Sequence, residues 1–258
     1  MDQPITNTGS AVLDARVEQR SEQASNISPG VQRACAWCGP LFGLVFFVGM
    51  LLAGLLPPPS PHDSAIQVAH FWQSDPDLKR LGLWLMMIAG GLTAPFGALL
   101  CVMIRRIEGR DAPLTFVQAF GAATGVVAIL VPTMIFMAAA FRPDRAAGLQ
   151  QLTNDLAWIP FIINFPPAML QCLSVAAAVL GDRSTEPVFP RWVGYYNAWT
   201  AFLFIPGGLI IFFKSGPFAW NGLLAFWLAA VVFGSWFMVM SVMMLKAVNR
   251  HARQLTLA

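Results

Sequence analysis

The chain has 258 residues, 57% of them apolar and 11% charged, with 20 Phe, 12 Met and 9 Trp and a mean hydropathy of +0.61. Water-soluble domains carry about 25% charged residues, so this composition excludes a soluble globular fold, and its apolar content excludes a wholly disordered chain. The net charge of +3 is small and the basic residues lie at the ends of apolar runs, never as a stripe, so no nucleic-acid partner is expected.

In chain order, residues 1–34 mix Asp14, Arg16, Glu18, Arg20 and Glu22 with Ser, Gln and Asn. They read as a mostly disordered cytoplasmic tail without the apolar core of a cleaved secretory signal. Residues 35–248 then read as one membrane domain, and 249–258 as a short cytoplasmic tail. A hydrocarbon core of about 30 Å needs about 20 residues of apolar helix. Six runs reach that length: Trp37 to Leu56, Gly82 to Ile104, Leu114 to Phe141, Trp158 to Leu180, Trp192 to Phe213 and Ala219 to Leu245. Because they are continuously apolar rather than alternating, the expected fold is an all-α polytopic bundle with six transmembrane helices, not a barrel.

With both termini inside, eleven of the sixteen Lys and Arg residues fall on the side of the termini, among them Arg105, Arg106, Arg110, Arg191, Lys246 and Arg250. Lys79, Arg80, Arg142, Arg145 and Lys214 fall on the other. This asymmetry predicts an N-in, C-in orientation in a bacterial inner membrane. In the long outer loop Pro57 to Leu81, Asp63 or Ser64 can cap a short helix ending near Gln73, whose Ile66, Ala69, Phe71 and Trp72 would lie on the membrane surface.

No Asp, Glu, Lys, Arg or His falls inside any of the six runs. That argues against a buried bis-histidine haem, a His-rich di-iron cluster, a carboxylate proton relay or an Arg voltage sensor. A Walker-type phosphate loop is also missing from the sequence. Neither catalytic residues, nor metal ligands, nor cofactors are assigned.

The remaining intramembrane polarity is neutral. Pro160, Pro166 and Pro167 predict a kink at mid-depth of the fourth span. Asn164 and Gln171 lie seven residues apart on one face of it, and Asn197 and Thr200 on the inner half of the fifth. Neutral amides in hydrocarbon seek partners on other helices, so interhelical bonding is the first reading of these four, and ligand contact the second. Pro95 with Gly97 and Pro206 with Gly207 stand at similar offsets in the second and fifth spans, as an inverted repeat would place them; helix-packing glycines explain them equally well, as they explain Gly39 with Gly43 and Gly121 with Gly125.

Cys35-Ala36-Trp37-Cys38, with Cys101 and Cys172 toward the same side, could carry zinc, an iron–sulfur cluster or a thiol relay, but a lone CxxC is weak and small apolar packing is the main reading. On the outer side, Arg142, Asp155, Trp158, Lys214, Trp220 and Asn221 could form a vestibule for an anionic or aromatic ligand. Interfacial anchoring is the plainer account of them. On the inner side, Arg191 and Trp192 with Tyr195, Tyr196 and Trp199 form a similar belt that could also grip lipid phosphate.

The runs Asn154-Asp155-Leu156-Ala157-Trp158, Pro190-Arg191-Trp192-Val193-Gly194-Tyr195 and Phe212-Phe213-Lys214-Ser215-Gly216-Pro217-Phe218-Ala219-Trp220-Asn221-Gly222 resemble a group of bacterial multi-pass membrane proteins of unknown function. The resemblance covers roughly Trp37 to Leu245. It implies one six-helix unit and brings no activity, ligand or catalytic residue.

Three functions follow in rank order. The first is a non-catalytic, membrane-embedded binding or accessory subunit for an apolar small molecule or for partner membrane proteins, with the lipid bilayer as its surroundings. The second is a facilitator of neutral or apolar solutes. The third is an enzyme using the inner thiols.

Overall fold

The computed structural model describes residues 28–109 and 111–257. The expected disordered tail, up to residue 27, and Arg110 lie outside the described residues. Among these, every regular element is helical: α1 (Pro29–Leu52), α2 (Ala65–Gln73), α3 (Pro76–Glu108), α4 (Pro113–Phe141), α5 (Ala147–Ile163), α6 (Pro166–Gly181), α7 (Arg191–Leu203) and α8 (Leu228–Leu257), with a 3-10 segment at Ile205–Phe212 and a π turn at Leu223–Trp227. Six stretches are long and apolar enough to cross a membrane, one for each expected span: α1, α3, α4, α5 with α6, α7 with the 3-10 segment, and the π turn with α8.

The boundaries differ from the apolar runs where capping decides them. α1 starts at Pro29, inside the segment read as a tail, because Ser28 accepts the Gly30 N–H at 3.2 Å and Pro29 suits the first turn. α8 continues to Leu257, into the segment read as a C-terminal tail. Between α3 and α4 the Glu108 carboxylate accepts the N–H groups of Leu114 and Thr115 at 2.8 and 2.7 Å, capping α4 where no N-cap side chain does so.

The six candidate spans close into a ring in which α1 lies between α8 and α3, α3 packs on α4, α4 on α5 and α6, α6 on α7, and α7 returns to α8. An Arg33 Nε bond to Asn249 Oδ1 at 2.9 Å ties the start of the first span to the end of the last. Both ends of the described chain therefore sit at the same end of the bundle. The core is aromatic: Phe42 and Phe46 of α1, Phe96 of α3 and Phe237 of α8 interlock with ring centroids about 5 Å apart.

α2 forms where Ser64 and Gln67 make a reciprocal capping box. The expectation that its apolar residues lie on the membrane surface fails for Ala69 and Trp72. Ile66 faces out and Phe71 is half-buried, while Val68, Ala69 and Trp72 turn onto the bundle. The Trp72 indole N–H reaches Asn154 Oδ1 at 3.2 Å, so α2 is a cover packed on α5 at the end opposite the termini. Lys79 closes its far end. This cation is 5% exposed, its Nζ donates to Ser74 O and Oγ at 2.8 and 3.0 Å, and it lies 4.5 Å over the Phe71 ring.

At the terminus-bearing end, Asp182 organises the loop before α7. Burial pushes its carboxyl up, but hydrogen bonds from Ser184 Oγ, Ser184 N–H and Val188 N–H outweigh that and hold it below its ordinary value. A depressed carboxyl contributes stability that is present above its unfolded value of 3.8 and is lost as pH falls through the lower folded value. The melting temperature is therefore expected to drop on acidification below about pH 4. Asp182→Asn should flatten part of that drop in a pH-scanned thermal melt. An unchanged acid limb in the variant would contradict this assignment.

Candidate functional site

Regular helix fails at three places, and all three face one cavity. The fourth span breaks completely at Asn164-Phe165, more than the predicted kink. Pro166 and Pro167 open α6 without N–H groups, and Phe165 N–H turns back to Ile163 O at 2.9 Å. The fifth span tightens into eight residues of 3-10 helix from Ile205, longer than the three or four usual for that geometry. The sixth starts as a π turn in which both Phe226 and Trp227 donate to Gly222 O. Asn164, Gly207 and Ala225, one from each departure, line the same space. Gly207 permits the meeting, since a Cβ there would stand 3.3 Å from Ile162 O.

By contrast, α3 continues as unbroken helix across Pro95 and Gly97, so the matching Pro-Gly offsets of the second and fifth apolar runs behave differently and give an inverted repeat no support.

The cavity measures about 160 Å³ and is half-enclosed by α1, α3, α4, the α5–α6 break, the 3-10 segment, the π turn and α8. Its size is close to the roughly 150 Å³ of an apolar protein cavity that takes up benzene. Nine phenylalanines and Trp236 form its walls, and no charged residue lines it. Its polar groups are few, and most are already engaged. Thr93 Oγ1 donates to Gly90 O at 2.7 Å. Gln171 accepts from Gln118 Nε2 at 2.9 Å and donates to Gly121 O at 3.2 Å. The Trp236 indole donates to Asn197 Oδ1 at 2.8 Å. The Asn164 side chain alone among the lining amides has no protein hydrogen-bond partner in the described residues.

The four amide and hydroxyl positions singled out in the sequence therefore separate. Asn164 and Gln171 meet at the cavity. Asn197 is completely buried behind it, held by Trp236 and by its own bond to Val193 O at 2.8 Å, and Thr200 is buried beside it on α7. Sequence reasoning passed over Gln118, whose bonds to Gln171 and Ser174 stitch α4 to α6. Its signal was present, for it is the one amide in the third apolar run. The aromatic walls carried no such signal, being indistinguishable in sequence from lipid-facing residues.

The outer constellation is not one open vestibule. Trp158 is wholly buried and stacks on Trp220, with centroids 6.2 Å apart and planes 16° from parallel. The Trp220 indole reaches across to Pro59 O at 2.8 Å. Arg142 and Lys214 are exposed, and Asp155 and Asn221 half-buried. Trp158 also meets Phe136 and Phe161, so an aromatic layer separates the cavity from the covered end. Cys35 and Cys38 stay on α1, Cys172 lines the cavity, and no group of three metal-ligating side chains occurs among the described residues.

No family model matches this sequence, and neither a curated protein nor a solved structure is significantly similar to it. What stands of the resemblance is the architecture of six apolar spans.

Proposed function

We propose that this protein is a non-catalytic, membrane-embedded binding protein that holds a neutral aromatic or apolar small molecule in its central cavity. The observation that carries this reading is the convergence of the broken, 3-10 and π segments on one uncharged, ring-lined space. Irregular backbone at membrane depth is tolerated where it lines a cavity or is buried in protein, and here it comes with aromatic walls and one unengaged amide. The ring of rigid aromatics supplies dispersion contact, and Asn164 supplies a single point of orientation for a hydroxyl or carbonyl. Passage right across the bundle is a weaker reading, because Trp158 and Trp220 fill the path toward the covered end. The excess of Lys and Arg on the terminus side supports an orientation with both termini in the cytoplasm, in a bacterial inner membrane.

The test uses protein in nanodiscs with 4-fluorobenzyl alcohol followed by 19F relaxation. The expected result is broadening beyond that in empty nanodiscs, lost in Ala229→Phe, which fills the cavity, and missing for the anionic 4-fluorobenzoate. Asn164→Leu should weaken binding of the alcohol about three- to tenfold, the size of one neutral hydrogen bond, yet leave fluorobenzene unaffected. Broadening equal to that of empty nanodiscs, or unchanged in Ala229→Phe, would defeat the proposal.

A further inference from the structure

A second cavity lies at the terminus-bearing end of the bundle, where the loop before α7 folds against α8, and it is independent of the central one. It has about 370 Å³. Its floor is apolar, made by Val188, Met243 and Ala247, and its rim is cationic, made by Lys246 and Arg250. These two are four residues apart, hence neighbours on one face of α8. Arg250 Nη2 donates to the carbonyls of Pro187 and Val188 at 2.6 and 3.0 Å, which fixes the guanidinium at the rim and leaves its other nitrogens without a bond in the described residues. Lys246 has neither a hydrogen bond nor an ion pair among them.

No Asp or Glu lines this cavity. The carboxylates nearest in sequence are engaged elsewhere: Glu186 accepts from Gln254 at 2.6 Å, and Asp182 from Ser184 and Val188. α7 starts beside it at Arg191 with no side-chain cap, so the positive end of a helix dipole adds to the two cations. Trp192 also lines the cavity and is half exposed, as an indole placed at a membrane interface would be. An apolar floor, a doubly cationic rim and an interfacial indole match an amphiphile with a negative head better than a free ion.

We propose that this cavity binds the phosphodiester headgroup of an anionic phospholipid, with Lys246 and Arg250 on the phosphate, Trp192 at the glycerol level and the acyl chains against Met243. The test is native mass spectrometry of detergent-solubilised full-length protein given equal amounts of phosphatidylglycerol and phosphatidylcholine. Wild type should retain phosphatidylglycerol preferentially. Lys246→Gln should retain about fivefold less, the weight of one basic residue near a lipid surface, and Lys246→Arg should restore it. Lys214→Gln, which removes a charge at the opposite end, should change nothing. Equal retention of both lipids, or Lys246→Gln behaving as wild type, would overturn the assignment. So would inorganic phosphate, at millimolar concentration, displacing the bound lipid, since the site would then be one for a free anion.

Discussion

Replacing Gly82 with leucine is expected to prevent α1 and α3 from packing and to leave little folded protein. The two helices cross where Gly49 faces Gly82, so closely that a Cβ on Gly49 would stand 2.7 Å from Gly82 O, and one on Gly82 would stand 2.5 Å from Ala53 N. These neighbours are backbone atoms and cannot swing aside as a flexible side chain does. Even Gly82→Ala must push the helices apart, at a cost of about 1–3 kcal/mol, and leucine adds three further carbons at the same point. In lipid no hydrophobic drive exists between helices, and small residues that let backbones approach permit the van der Waals packing that helps to hold them together. The measurement is the folded fraction during denaturant titration in lipid micelles. Gly43→Ala, where a Cβ meets nothing within 4 Å, is the control and should be neutral or slightly stabilising. Combining Gly49→Ala with Gly82→Ala should cost less than the sum of the single changes, because the first has already paid for the separation. Strict additivity would mean that the two glycines do not share one contact.

Trp158→Ala is expected to cost about 3–5 kcal/mol, the range for deleting a fully buried aromatic ring. Its indole is enclosed by Phe136, Phe161, Trp220 and Phe226, with centroids between 5.2 and 6.3 Å away, so truncation leaves a hole at the junction of α4, α5 and the π turn. Trp158→Phe should behave differently. The Trp158 indole N–H has no protein hydrogen-bond partner, so phenylalanine retains much of the ring packing and loses no bond. Its expected cost is about 1–2 kcal/mol, because only part of the ring volume is removed. Thermal unfolding of both variants in the same detergent gives the comparison; equal losses would show that a single six-membered ring does not preserve the packing. Trp158→Ala should also extend the central cavity through the aromatic layer, so that nanodisc-embedded variant accepts bulkier probes than 4-fluorobenzyl alcohol.

Much of the fold was legible in residue order. Long, continuously apolar runs give six helices long and apolar enough to cross a membrane, because a helix satisfies every backbone polar group within its own segment. The prolines flanking Asn164 marked the weak point of the fourth span, and Ser64 with Gln67 marked the start of α2. The site was only partly legible. Asn164 and Gln171 stand out as amides in apolar surroundings and do reach the cavity, yet Asn197 has equal polarity and is committed to Trp236.

What the residue order determined by itself is one-dimensional: the number of helices apolar enough to span, the absence of charge from the apolar runs, the Ser64 cap of α2 and the places where proline forbids a backbone bond. Tertiary structure alone decided which rings face lipid and which face one another, since phenylalanine is equally at home in both when solvent and core are alike apolar. It turned Trp72 and Trp158 inward, set Gly49 against Gly82 across separate spans, and brought the break at Asn164, the 3-10 segment and the π turn around one cavity. Those pairings depend on close fit between distant segments, and hydropathy carries no information about fit.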